Sequence, residues 1–183
     1  MTTTTKFGRV VGALVLLCIL LTACGYVGIR FFYPFGRRAC ALQCMYLVLQ
    51  NYAKDHEGAF PDGADGFVAL QSLYPDYVDG RELAGISGDP EKVQQVLSQQ
   101  KSLNGVTSWR FIPGLSRDDD SRLAILWEAQ SGINADGRRN FNGSRAVLLV
   151  GGSITNVAKS SWDGFMNEQA SIKSAAEKSV ELQ

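Results

Sequence analysis

The chain has 183 residues with 18 basic and 18 acidic side chains, so its net charge is zero. That length suits one domain with accessories. The balanced charge supplies no field to hold nucleic acid, and Arg37–Arg38 and Arg138–Arg139 are pairs, not a basic patch.

Residues 1–9 form a polar tail carrying Lys6 and Arg9. Val10 to Ile29 then contains no charged residue. As a helix rising 1.5 Å per residue, this segment covers roughly 30 Å of hydrocarbon, enough for a transmembrane anchor. Cations flank both ends, with Arg30, Arg37 and Arg38 on the far side, so the positive-inside rule sets no orientation. A second reading takes Lys6 and Arg9 as the n-region and Val10 to Leu21 as the h-region of a signal peptide. "LTAC", Leu21 to Cys24, then resembles the lipobox of bacterial lipoproteins. That resemblance implies cleavage before Cys24 and a diacylglycerol on its sulfur, making Cys24 the lipidation candidate. Against it, the apolar run continues through Tyr26, Val27 and Ile29. Either way the chain is held at a membrane.

Residues 30–36, "RFFYPFG", predict a juxtamembrane break. Pro34 disfavours helix at Tyr33, and Gly36 adds freedom. From Arg37 to Asp55 the pattern is helical again. Leu42, Met45, Tyr46, Leu49, Tyr52 and Ala53 follow helical spacing. Cys44, Leu47 and Val48 widen the stripe almost all round, which predicts burial on several sides or packing against partner helices. Gly58 is expected at C′, with Pro61 as the stop. Cys40 and Cys44 share a helix face with parallel Cβ vectors, which is poor disulfide geometry. They read as small buried hydrophobes, and zinc would need a second ligand pair.

Asp65 should cap a short helix over Gly66 to Leu73. Val78 to Gly88 reads as loop. Asp89 and Pro90 open another helix with Val93, Val96 and Leu97 inward. The period then changes to two. Ser108 to Gly114 and Arg122 to Ala129 read as strands, the second apolar enough to be central. Residues 131–143 are a turn-rich connection, and Ser144 to Ala158 a hairpin about Gly151–Gly152. A short helix starts at Ser160 or Ser161, and the tail from Ser171 is polar and weakly helical. Helices followed by an antiparallel meander make an α+β fold, with the long N-terminal helix packed on a small sheet. The domain proper is placed at 37–160, between the 10–29 anchor or signal segment and a 161–183 helix and tail.

The chemistry-bearing residues point to no reaction. His56, the one histidine, sits where a helix ends, and a cation there would favour the helix dipole. Catalysis would need a nucleophile and an orienting group in reach, and no G-x-S-x-G motif appears. Asp118, Asp119 and Asp120 could hold calcium together with Glu128 or Asp136. The run lacks EF-hand spacing, and a solvated turn is the competing reading. Asn142-Gly143-Ser144 is both a sequon and a turn signal. Trp109, Trp127 and Trp162 read as core or rim aromatics.

The order anchor, apolar helix, loop, meander resembles the type IV pilin and type II secretion pseudopilin fold. "RRACALQCMYLVLQNYAKDHEGAFP" is similar to the opening of a pilin-like family abundant in planctomycetes. Arg37, Cys40, Leu42, Tyr52, Ala53, Asp55, His56, Gly58, Phe60 and Pro61 carry the match. "FVALQSLYPDYV", "WRFIPGL", "AILWEA" and "RAVLLVGGSITNV" resemble its later elements. The prepilin peptidase signature G-F-T-L-I-E is absent. Phe141, Gly151 and Ser153 stand where the family's hairpin has His, Asp and His. "AGISGDP" stands where many members have Cys-Pro, so Cys40 lacks the disulfide partner the family implies. The resemblance implies a non-enzymatic component of a type II secretion-like or type IV pilus-like assembly in a bacterial cell envelope. Its domain would lie outside the cytoplasm, periplasmic or at the surface, and meet other pilin-like subunits through the Arg37 to Asp55 helix. The alternative is a stand-alone lipoprotein binding or adaptor module with the same domain.

Overall fold

The computed structural model describes residues 3–36 and 40–181, so Arg37, Arg38 and Ala39, the expected start of the second helix, lie outside the described residues. α1 spans Thr3–Phe32 and stops where Pro34 predicts, with Gly36 at φ 78° in the break. α2 runs from Ala41 to Asp55, and α3 (Gly66–Gln71), α4 (Gly80–Ala84) and α5 (Pro90–Ser98) follow. Four strands come next: β1 (Trp109–Phe111), β2 (Ala124–Glu128), β3 (Arg145–Leu149) and β4 (Ile154–Val157). They pair antiparallel in the order β1-β2-β3-β4, a plain meander. A 3-10 turn at Lys159–Ser161 leads into α6, Trp162–Glu181. The architecture is α+β.

α2 supplies the centre of the core. Leu42, Met45, Leu49 and Ala53 are fully buried at helical spacing, against α4 and β3. Burying each large side chain stabilises by about 1.5–3 kcal/mol. Tyr46 closes on the β3–β4 turn so tightly that a Cβ on Gly152 would come 2.5 Å from its ring. Of the two expectations for α2, burial on several sides within the chain is not met, because Leu47 points away from the body and is 62% exposed. One helix can offer a sheet only one face, and the outer row stays open.

The helix ends in a Schellman turn. Its C-cap is His56, and the Gly58 N–H donates to the Ala53 carbonyl at 2.7 Å. The C′ residue is therefore Glu57, at φ 53°, and Gly58 is C″ at φ 91°, one place later than expected. A Cβ in that left-handed region costs roughly 1 kcal/mol. Glu57→Gly should therefore raise stability by about 0.5–1 kcal/mol, read as a higher urea midpoint at unchanged slope.

Asp65 and Asp89 cap α3 and α5 as expected, each accepting two backbone N–H bonds. The segment read as loop contains α4, started by Asp79, which accepts from Arg81 and Glu82. Trp109, fully buried, fixes α4 by donating its indole N–H to the Glu82 carbonyl at 2.8 Å.

The sheet is covered on both faces. Trp109, Phe111, Leu126, Ala146 and Leu148 face the α2–α5 side. Ala124, Val147 and Val157 face the other side, against Trp162 and Phe165 of α6. The tail from Ser171, expected to be only weakly helical, is helical to Glu181. Gln169 anchors it, accepting the Ala124 N–H at 2.6 Å beside a β2 irregularity between Ala124 and Leu126.

Candidate functional site

His56 is exposed, and its ring lies flat on Tyr52 with centroids 3.8 Å apart and planes 3° from parallel. Its Nδ1 is 2.8 Å from the Tyr52 carbonyl, so Nδ1 carries a hydrogen and donates. Tyr77 meets both rings edge-on and donates its hydroxyl to the Asp55 carboxylate at 3.1 Å. Desolvation, and then that carboxylate, raise the Tyr77 phenol above its usual range. The group ties the end of α2 to the segment after α3, and no serine or cysteine takes part in it.

Cys40 and Cys44 are both free thiols. Cys44 is half-buried, and burial pushes its thiol up, with Cys40 and Glu82 adding smaller pushes in the same direction. A raised thiol is a poor nucleophile at neutral pH.

The structure does not bring the acidic run together on a cation. Asp119 accepts the Ser116 N–H at 2.6 Å, closing a turn. Asp120 forms a two-point bond with the Arg122 guanidinium, which holds its carboxyl down at about 2. Asp118 is exposed, and Asp136 accepts the Arg138 N–H. Among the described residues no three His, Cys, Asp or Glu side chains converge as a metal site would require.

Glu128, the remaining calcium partner considered, is committed elsewhere. It is fully buried at the end of β2. Its carboxylate accepts the Ile86 N–H at 3.1 Å, the Ser87 hydroxyl at 2.6 Å, the Ser108 hydroxyl at 2.8 Å and the Gln130 N–H at 3.2 Å. The "GISG" segment supplies two of these donors by folding close around it. Gly85 sits at φ 87°, and a Cβ there would lie 2.1 Å from the Ser108 hydroxyl. The segment is thus a carboxylate cradle.

A cleft of about 200 Å³ lies between β3 and the start of α6, lined by Gly143, Arg145, Val157, Lys159, Trp162 and Asp163. The Arg145 guanidinium stands 4.5 Å over the Trp162 ring.

α1 differs from every other element. Gly12–Phe32 has a mean hydropathy of 2.3, and none of it is buried. Cys24 lies exposed within this helix, which continues unbroken to Phe32. Leu14, Leu17, Leu21, Tyr26 and Ile29 are each more than half exposed. The helix is long and apolar enough to cross a bilayer. Comparison with family models, curated proteins and solved structures found no match.

Where α1 meets the body, sequence reasoning missed an assembly of residues. The Arg139 N–H donates to the Phe32 carbonyl at 2.7 Å, filling one of the carbonyls a helix end leaves open. Arg138 and Arg139 place their guanidinium groups 5.8 and 5.1 Å from the Phe32 and Phe31 rings. The two elements are more than 100 positions apart, so no local pattern announces the contact.

Proposed function

We propose that this chain is a membrane-anchored, pilin-like structural or assembly component, presenting its α+β domain outside the cytoplasm. The observation that carries the reading is the combination of a 21-residue apolar stretch, none of it buried, with a body whose core clusters contain no residue of that stretch. Such a helix needs lipid, or a bundle of helices like it, to remove its surface from water. The outer row of α2, with Leu47 exposed, is the surface through which neighbouring pilin-like subunits would be met.

The second reading, a stand-alone lipoprotein adaptor, is favoured by the exposure of Cys24. The mature N-terminus in the membrane fraction decides between them. A start at Met1 or Arg9, with a photo-crosslinker at position 47 capturing a pilin-like chain, is the expected result. A start at Cys24, with palmitate uptake lost in Cys24→Ser, selects the lipoprotein. A full-mass chain found only in the soluble fraction removes both.

A further inference from the structure

We infer that the 130–143 connection is a membrane-interface collar. Phe141 enters the edge of the hydrocarbon beside the end of α1, and Arg138 and Arg139 hold the phosphates of anionic phospholipids. The inference rests on α1 being a membrane anchor.

Phe141 is 77% exposed, the most exposed large hydrophobic side chain among the described residues. It is not on a slack loop. Ile133 is buried at the base of the connection. The Asn140 side chain donates to Asn134 at 2.8 Å and accepts the Ser144 N–H at 3.0 Å. Backbone bonds Gly132 to Ser144 and Asn140 to Gly132, at 2.9 and 2.8 Å, close the base. A braced loop that holds a phenyl ring in the open marks a contact surface.

Its neighbours say which surface. The Phe141 ring is 6.3 Å from Phe31, in the last turn of α1, and Phe31 and Phe32 are themselves 48% and 41% exposed. If Gly12–Phe32 fills the hydrocarbon, its length of about 31 Å matches the core and puts Phe32 at the boundary. Phe141 then lies at the same depth, and the two guanidinium groups lie against the rings at the level of the phosphates. Arg30, in the last turn of α1, adds a third cation able to reach that layer. No carboxylate is within ion-pair distance of Arg138 or Arg139 among the described residues. Uncommitted guanidinium forks above exposed phenyl rings suit a phosphate headgroup over an acyl chain.

The test uses the full chain in lipid nanodiscs, with Phe141→Trp as a depth reporter read against the wild-type emission. In discs containing anionic phospholipid, the added emission should be blue-shifted. Lipids brominated high on the acyl chain should quench it, and lipids brominated near the chain end should not. Arg138→Gln with Arg139→Gln should remove about half or more of that quenching, as should neutral lipid. A chain that enters the discs with its added tryptophan unquenched overturns the collar and leaves the anchor standing. Quenching that is indifferent to lipid charge and to the double variant overturns the phosphate role. A chain that fails to enter discs overturns the anchor reading and the collar with it.

Discussion

Glu128→Ala is expected to destabilise the domain by about 3–5 kcal/mol, because buried donors lose their acceptor and a cavity opens where the side chain was. The reason lies in the donors left behind. The wild-type carboxylate is 0% exposed and accepts four hydrogen bonds from three separate segments. Of these, the Ser108 hydroxyl has a second acceptor, the Ala84 carbonyl at 3.2 Å, and can turn to it. The Ile86 N–H cannot turn, and a buried unpaired donor costs about 1–3 kcal/mol on its own. Glu128→Gln keeps one acceptor oxygen but sets an amide N–H₂ against donors, so it should cost roughly half as much. Urea denaturation of the full chain in detergent reads both: the midpoint falls and the slope stays. A Glu128→Ala protein with the wild-type midpoint would show that the "GISG" segment does not depend on this carboxylate.

The same residue shows where sequence reading stops. The caps at Asp65 and Asp89, the apolar spacing of α2, the Pro34 break and the β3–β4 turn are local signals, and each appears where the pattern placed it. α4 was not legible, because five residues carry too little period, and its stability comes from Trp109, more than 20 positions away. α6 was partly legible. Trp162, Phe165 and Gln169 recur at helical spacing, but the polar surroundings masked a stripe that covers the second sheet face. Of the site residues weighed from sequence, Asp119 and Asp120 turn to partners within three positions of themselves. Glu128 and Arg139 turn to partners far along the chain, which no spacing rule reaches.

Leu17→Arg with Leu21→Arg should release the chain from the membrane while leaving the body as stable as before. The two positions are one helical turn apart within the apolar span and are 51% and 64% exposed. Each arginine near the centre of a spanning helix raises the insertion free energy by about 2.5–3.5 kcal/mol, so the pair supplies roughly 5–7 kcal/mol. That exceeds what the remaining leucines and isoleucines return at about 0.3–0.6 kcal/mol each. Leu21→Ala, which loses apolar area without adding charge, should stay membrane-bound. Alkaline carbonate extraction separates the three proteins. The melting transition of the body should not move, because none of Gly12–Phe32 is buried against it and the backbone bond to Phe32 lies beyond the substituted turn. A double variant that still sediments with the membrane would mean that the body or a partner holds the chain there without α1. A shifted melt would mean that α1 lies along the body, contrary to the geometry from which the anchor and the collar are both argued.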